Sequence, residues 1–276
     1  MPGPAKPPTI LVFDSGLGGL SVFREIARAR PDASFVYAAD DAGFPYGDLS
    51  EHALVARVGE VMDLLIDAVR PDLVVIACNT ASTAALPSLR ARHAMPFVGT
   101  VPAVKPACAA SRSRRVSILA TPGTVRRDYT SELVRAFADG CTVDLVPSPR
   151  LAALAEAVLS GQSVDDGEIA AEIAPCFVSQ GGRATDTVVL ACTHYPLIAD
   201  RLARLALWPV AWIDPAPAIA RRVVSLIGPA PQDLAEPEPV RLVSTGRPLE
   251  PGRIGAIIAR PVAAPDLLAT PPVLVS

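Results

Sequence analysis

The sequence predicts an α/β fold of two pseudosymmetric, doubly wound lobes with mostly parallel sheets and a functional site in the cleft between them. Three observations support this. Short β-rich runs alternate with amphipathic helical stretches, and one strand pattern occurs twice along the chain. The composition is 50% hydrophobic but only 5% aromatic, which suits aliphatic strands buried under helices. Finally, 276 residues are enough for two ordinary lobes.

Eight runs are predicted as strands, and amphipathic helical sequence such as SVFREIARAR separates most of them. This alternation predicts parallel sheets covered by helices. Ligands of such sheets bind beyond the carboxyl ends of the strands, so the residues just after each strand are candidate site residues. The predicted strands span residues 9–14, 34–40, 72–78, 97–101, 115–121, 142–148, 186–192 and 240–245.

The repeated pattern is LVVIACNTA at 73–81 and TVVLACTHY at 187–195, in which a buried strand leads to Ala-Cys and then to polar residues. We interpret it as a structural duplication that places two related lobes across a cleft, with Pro-rich crossings near 95–106 and 208–217. The first lobe is predicted to contain residues 1–98 and 210–276, and the second 99–209. Residues 229–240 are predicted as an exposed linker and the first eight residues as a disordered tail.

Charge and composition disfavour several classes of protein. The 25 basic and 28 acidic residues give a net charge of −3 without a basic run, so a nucleic-acid partner is not expected. The apolar runs are much shorter than the roughly 20 residues of a membrane helix, and the start MPGPAKPPTI lacks signal-peptide features, so we expect a cytoplasmic protein without a membrane partner. Five irregularly spaced cysteines without a CxxC pair indicate neither a disulfide framework nor a zinc ribbon, and no metal is expected.

The segment FDSGLGGLSV places Asp14 and Ser15 before three glycines and a helix. Its spacing is neither GxGxxG nor that of a P-loop, and a carboxylate ligand at the helix N-terminus fits it well. The alternative is that Asp14 caps the helix and the glycines form a tight turn. After the second strand, the loop YAADDAGFPYG contains Tyr46 and Gly47, which either close over a small ligand or form a surface turn.

Cys78 and Cys192 lie at the ends of the two repeated strands. A thiol that faces a helix N-terminus is expected to have its pKa lowered from about 8.5 toward neutrality, which suits proton transfer. A single buried cysteine is more often a small hydrophobic residue, but two at equivalent places favour a functional role. His194 is a candidate proton relay beside Cys192. The other cysteines, Cys108, Cys141 and Cys176, are predicted to be structural, and His52 and His93 to be exposed on helices.

Six ordered motifs, FDSGLGGLSV, FPYG, ACNTAS, ATPGTV, ACTHYPL and DPAPAIARR, resemble the glutamate racemases of the aspartate/glutamate racemase superfamily. The resemblance implies an active site between two lobes, with neither metal nor pyridoxal phosphate. It also implies that Cys78 and Cys192 are the catalytic thiols, acting on the D- and L-enantiomer respectively, and that Asp14, His194 and Glu156 assist them. The substrate-binding residues it implies are Asp14, Ser15, Tyr46, Gly47, Asn79, Thr80, Thr121, Thr193 and His194.

Two segments depart from the family pattern. In the family, the loop after the second strand often has the sequence GDxxRxPYG. Here Ala39 and Gly43 replace its glycine and arginine, and we expect this change to affect the loop more than the pocket. The family's VIEPG segment is VPAVKP at 101–106, without its glutamate, which leaves activator-dependent regulation open.

We therefore expect a cofactor-independent glutamate racemase that supplies D-glutamate for peptidoglycan, with an amino acid as its small-molecule partner. A homodimer is left open. Three alternatives remain at this point: a racemase of aspartate or another small carboxylate, a catalytically silent carboxylate-binding protein, and a thiol redox protein. The last is disfavoured by the absence of CxxC.

Overall fold

A computed structural model describes residues 6–233 and 236–270. The strands are β1 (Thr9–Asp14), β2 (Ser34–Ala39), β3 (Leu73–Ile76), β4 (Phe97–Gly99), β5 (Arg115–Ala120), β6 (Thr142–Pro147), β7 (Ser179–Gln180), β8 (Arg183–Ala184), β9 (Thr187–Ala191), β10 (Ala211–Ile213), β11 (Val240–Ser244) and β12 (Val262–Leu267). The α-helices are α1 (Leu20–Ala29), α2 (Glu51–Val69), α3 (Asn79–Arg92), α4 (Val104–Ala110), α5 (Pro122–Val125), α6 (Asp128–Phe137), α7 (Leu151–Leu159), α8 (Asp166–Ile173), α9 (Ala199–Leu205), α10 (Ala216–Ile227) and α11 (Pro251–Ile258).

Two parallel sheets form the framework, and they share an internal strand order. The larger sheet has the order β12-β11-β2-β1-β3-β4, and the smaller has β10-β9-β5-β6. Read from the other edge, the smaller sheet repeats the β2-β1-β3-β4 part of the larger one, with β5 in the place of β1 and β9 in the place of β3. The duplication suggested by the two Ala-Cys strands therefore extends to the topology of both sheets.

Each sheet is buried on both faces, because alternate side chains of a strand point to opposite sides. Along β1, Ile10 and Val12 pack in one apolar cluster with α1, α10 and α11, whereas Leu11 and Phe13 pack in another with α2 and α3. The smaller sheet likewise packs against α7, α8 and α9 on one face and α4 and α6 on the other. These layers confirm the predicted fold class.

All eight predicted strands are present within a few residues of their predicted ends. The Pro-rich segment 208–217, predicted as a crossing between the lobes, contains β10 (Ala211–Ile213), which pairs with β9 in the smaller sheet. We therefore propose that the second lobe extends to Ile213. β12 and the short β7-β8 hairpin were not predicted.

The described part of the predicted linker, residues 229–233 and 236–239, is almost entirely exposed. Most of the predicted N-terminal tail, residues 1–5, lies outside the described residues. In the two described stretches, no helix has both the length and the apolar character needed to cross a bilayer.

Candidate active site

The carboxyl ends of the two sheets face each other across one small cavity. Cys78 follows β3 by two residues and Cys192 follows β9 directly, and both thiols line this cavity. All the predicted site residues line it except Asp14 and Glu156. The lining residues are Ser15, Phe44, Pro45, Tyr46, Gly47, Cys78, Asn79, Thr80, Thr121, Ala152, Cys192, Thr193 and His194.

The hydroxyl-bearing residues beside the two thiols are related by the duplication. In the sheet registers Phe13 pairs with Ile76, and Ala120 pairs with Ala191. Continuing these registers past the strand ends brings Ser15 level with Cys78 and Thr121 level with Cys192. The Ser15 Oγ lies 4.0 Å from the Cys78 Sγ.

Cys78 occupies the N-cap position of α3 and is 6% exposed. Burial raises the pKa of this thiol well above its ordinary value, and the Asp14 carboxylate raises it further. A hydrogen bond from the Ala81 N–H acts in the opposite direction but is outweighed. The prediction that the helix N-terminus lowers the pKa of Cys78 was therefore wrong, because desolvation dominates.

Cys192 has different neighbours. It precedes a 3-10 turn at Tyr195–Ile198 instead of an α-helix, so the predicted helix N-terminus is absent at this position. Its Sγ lies 3.7 Å from the Nδ1 of His194, whose Nε2 lies 2.7 Å from the Oε2 of Glu156. Burial opposes the charged form of His194, but the contacts with Cys192 and Glu156 prevail and raise the pKa of the imidazole well above its ordinary value. These contacts therefore favour the charged imidazolium form of His194.

The Glu156 carboxylate completes this chain of groups. Burial is the largest single influence on its carboxyl group and raises the pKa, but the hydrogen bond and charge of His194, with smaller contributions from the Leu17 N–H and Arg247, together lower the pKa of Glu156 below its ordinary value. The backbone N–H of Leu17, in the first lobe, donates to Glu156 at 3.0 Å. Cys192, His194 and Glu156 thus form a connected chain of side chains that contacts both lobes.

Asp14 lies beneath the cavity wall rather than in it. It is fully buried, accepts a hydrogen bond from the Gly19 N–H at 2.7 Å, and lies 3.4 Å from the Thr193 hydroxyl. Burial is the largest influence on its carboxyl group and raises its pKa. Gly18 has no side chain, which allows the His194 ring to lie against the backbone of the Gly-rich segment, since a Cβ at Gly18 would lie 2.4 Å from that ring. Asp14 therefore contacts Thr193 and not the cavity itself, and its predicted roles stay predictions.

Three threonine hydroxyls join the lobes at the cavity floor. Thr80 lies 3.0 Å from Thr121 and 3.1 Å from Thr124, and the last two are 3.2 Å apart. Beside them, the side-chain oxygen and nitrogen of Asn79 are buried without a hydrogen-bond partner among the described residues. Because unpaired buried amide groups are costly, Asn79 is suited to bind a polar ligand.

The cavity is small. Its volume is about 20 Å³, close to the roughly 10–15 Å³ that a single water molecule requires. The Phe44 ring covers His194 with ring centroids 5.5 Å apart.

Sequence reasoning missed three lining residues, Phe44, Pro45 and Ala152. Phe44 and Pro45 belong to the quoted FPYG motif, but an apolar loop residue gave no chemical signal. Ala152 lies one helical turn before Glu156 on α7, so an i, i+4 pattern on this helix would have indicated it. Among the described residues, no group of three or more His, Cys, Asp and Glu side chains is arranged to hold a metal ion.

The structure also describes the cysteines and histidines that were predicted to lie outside the site. Cys108 and Cys176 are buried and Cys141 is half-buried. His52 is exposed on α2, whereas His93 is half-buried beside Asp63, contrary to the prediction that it is exposed.

Comparison with known proteins agrees with this geometry. Residues 10–223 match the family model described as Asp/Glu/Hydantoin racemase. A glutamate racemase of Brucella anthropi is 55% identical over 234 residues, which are 84% of this chain and 84% of that protein. The structure of Escherichia coli glutamate racemase in complex with L-glutamate and the activator UDP-MurNAc-Ala is 37% identical, with a TM-score of 0.84, covering 95% of this chain and 98% of that one.

The glutamate racemase of Aquifex pyrophilus is 28% identical with a TM-score of 0.70, covering 94% of this chain and 98% of that one. The fold, the paired thiols and these similarities lead to one conclusion: the chain belongs to the Asp/Glu/Hydantoin racemase family and is an amino-acid racemase.

Proposed function

We propose that the protein interconverts L- and D-glutamate without a cofactor, using Cys78 and Cys192 as an acid–base pair on opposite faces of the α-carbon. The observation that carries this proposal is the position of the two thiols. They follow equivalent strands of two duplicated sheets and line one cavity.

Racemisation removes the α-proton from one face of the amino acid and returns a proton to the other face. In the L to D direction, the Cys192 thiolate takes the α-proton to leave a carbanion, and the Cys78 thiol then donates its proton to the opposite face. The products are D-glutamate, a Cys192 thiol and a Cys78 thiolate, so protons and charge balance. The reverse direction exchanges the two roles, and proton exchange with solvent resets the pair.

The surroundings of the two thiols support this starting state. Burial raises the pKa of Cys78, which keeps it as a thiol able to donate. The Nδ1 of His194 lies 3.7 Å from the Cys192 sulfur, close enough to exchange a proton with it. We therefore assign abstraction from the L-enantiomer to Cys192.

The carbanion formed in between needs hydrogen-bond donors at its α-carboxylate. The unpaired Asn79 amide and the Thr193 hydroxyl line the cavity and are suited to this task. Closure of the lobes excludes water and strengthens these bonds. The hydroxyl of Thr80, next to Asn79, is a further donor once the substrate displaces it from its contacts with Thr121 and Thr124.

The choice of glutamate over other amino acids is supported by the relatives, which are named glutamate racemases at 55% and 37% identity. From the same resemblance we propose that the D-glutamate produced supplies peptidoglycan synthesis in the cytoplasm.

The test is a panel of amino acids incubated with the purified protein in heavy water without added cofactor. We expect mass spectrometry to detect α-deuterium in glutamate, and circular dichroism to detect loss of optical activity. Preferential exchange of aspartate or another carboxylate would reassign the substrate. Binding of glutamate without any deuterium uptake would instead indicate a silent binding protein.

A further inference from the structure

One wall of the cavity is the loop Phe44–Gly47. The family resemblance implies that Tyr46 in this loop binds the substrate, but the Tyr46 hydroxyl is already hydrogen-bonded within the protein. Tyr46 lines the cavity but is only 1% exposed. Its hydroxyl donates to the Oδ2 of Asp40 at 2.5 Å, so its single proton is already used. Burial and the Asp40 carboxylate raise the pKa of Tyr46 well above its ordinary value, which keeps this proton in place. Tyr46 therefore presents its ring and backbone, not its hydroxyl proton, to the cavity.

Asp40 is fully buried and is held from several directions. Arg57 on α2 contacts it through Nε at 2.9 Å and through Nη2 at 2.6 Å, and the Thr245 hydroxyl donates to it at 2.5 Å. A buried bidentate pair of this kind has a fixed geometry, because the planar guanidinium matches both carboxylate oxygens. The carboxylate that holds Tyr46 is thus itself fixed by α2 and by the residue after β11.

The loop is tightly packed around this carboxylate. A Cβ on Gly43 would lie 2.7 Å from the Asp40 Oδ2 and 2.8 Å from the Tyr46 ring. Because both contacts are with side chains of the anchored wall, a side chain at position 43 would displace Asp40 or Tyr46. On the other side, a Cβ on Gly47 would lie 3.2 Å from Thr121 of the second lobe. The loop is therefore held by the first lobe and fits closely against the second.

We propose that Arg57, acting through Asp40, is a positioning residue that fixes the Tyr46–Gly47 wall of the substrate cavity. The proposal rests on the proposed racemase function for its kinetic readout. Neither residue contacts the reacting atoms. Their effect is on how well the closed cavity fits the substrate, so loss of the anchor raises KM more than it lowers kcat.

The chain offers a matched control in a second buried bidentate pair. Arg30 contacts Asp32 through Nε at 2.9 Å and through Nη2 at 2.7 Å, with side chains 4% and 8% exposed. Arg30 follows α1 and precedes β2, at the amino-terminal edge of the sheet and so opposite the cavity. The substitutions Arg57→Lys and Arg30→Lys therefore each remove a two-nitrogen contact between a guanidinium and a carboxylate. Arg57→Lys does so near the cavity, and Arg30→Lys does so far from it.

We expect Arg57→Lys to raise KM for glutamate about tenfold with kcat changed less than about threefold, and Tyr46→Phe to raise KM by a smaller factor. Arg30→Lys is expected to leave both constants within about twofold, although both lysine variants lower the melting temperature. If Arg57→Lys does not fold, Tyr46→Phe carries the same test. Folded variants with the wild-type KM would overturn the proposal.

A second measurement does not depend on activity. Hydrogen–deuterium exchange of the amides between Phe44 and Leu49 is expected to accelerate in Arg57→Lys and to match the wild type in Arg30→Lys. If the wild type does not turn over glutamate, the proposed function fails, but this measurement still tests whether Arg57 fixes the loop through Asp40. Unchanged exchange in Arg57→Lys would contradict the anchor even in an active enzyme.

Discussion

The two sides of the cavity share a backbone plan but not a chemical environment. Cys78 follows β3 and Cys192 follows β9, and these two strands occupy equivalent places in the duplicated sheets. Cys78 is beside a buried carboxylate, Asp14, and a long α-helix. Cys192 is beside the imidazole of His194, which is hydrogen-bonded to Glu156. The duplication supplies two thiols facing one cavity, and we propose that the different side chains around them make Cys78 the acid and Cys192 the base for the L-enantiomer.

Under the proposed mechanism, this difference matters for how the reaction starts. Enantiomers have equal free energies in water, so the reaction itself favours neither direction. A resting site with two thiols or two thiolates would lack either the base or the acid. We propose that the unequal surroundings of Cys78 and Cys192 provide one of each before substrate enters.

The largest expected effect comes from removing either thiol. Cys78→Ser and Cys192→Ser are each expected to lower kcat/KM for both enantiomers by about 10³-fold, because a serine hydroxyl is far less acidic than a thiol. Polarimetry in both directions measures this. Cys176→Ser, at a buried cysteine outside the cavity, is the control and should retain activity. A Cys78 or Cys192 variant with near-normal turnover would refute the two-thiol scheme.

A smaller effect is expected for His194→Asn, which removes the imidazolium from one side only. We expect kcat/KM to fall about 10²-fold, by the same factor in both directions since the equilibrium constant is one. The asymmetry should appear in isotope effects. With α-deuterated substrates, the primary isotope effect should be larger for L-glutamate than for D-glutamate, because abstraction at Cys192 has become slow.

The exposed His52 provides the matched control, and His52→Asn should behave as the wild type. Equal isotope effects for the two enantiomers in His194→Asn would show that His194 serves both thiols alike, and the proposed asymmetry would then be wrong.

The comparison also predicts an order of alkylation. At neutral pH, iodoacetamide should modify Cys192 about ten times faster than Cys78, because the thiolate is the nucleophile and burial keeps Cys78 protonated. Peptide mapping by mass spectrometry separates these sites from the half-buried Cys141. Asp14→Asn should speed the alkylation of Cys78, since the Asp14 carboxylate raises the pKa of that thiol. Faster modification of Cys78 than of Cys192 in the wild type would reverse the assignment.

The smallest expected effect concerns a contact between the lobes. The Ser21 hydroxyl lies 2.8 Å from the Thr193 carbonyl and 2.9 Å from the Gly18 carbonyl. Ser21→Ala should lower kcat/KM by about three- to tenfold, the equivalent of about 1 kcal/mol. Ser225 donates to the carbonyl three residues before it but lies on the exposed surface, so Ser225→Ala is the control and should have no effect. If Ser21→Ala has the wild-type kcat/KM, this contact between the lobes does not contribute to the reaction.

Much of the fold was predictable because buried parallel strands are continuous aliphatic runs, as in β3 and β9. The missed strands lack this signal. β10 has only three residues in a Pro-rich segment, and β12 contains Pro265, which is tolerated because β12 is an edge strand. Pairing with a neighbouring strand, and not local sequence, defines both elements.

The residues of the cavity were predictable to the extent that they follow strands, as Ser15, Cys78, Thr121 and Cys192 do. The pKa of Cys78 was not, because it depends on how much water the folded lobes exclude. The anchor of Tyr46 on Asp40 and Arg57 was also not predicted. It joins the loop after β2 to α2 and, through Thr245, to the residue after β11, and none of these segments alone indicates the others.

The most direct test of the two-thiol account is the fate of the α-hydrogen early in a reaction of L-glutamate in heavy water. Each thiol serves one face, so we predict that the D-glutamate formed carries solvent deuterium while the remaining L-glutamate carries almost none. Early deuterium in the recovered L-glutamate, or transfer of the original hydrogen into D-glutamate, would mean that one base serves both faces and would contradict the account.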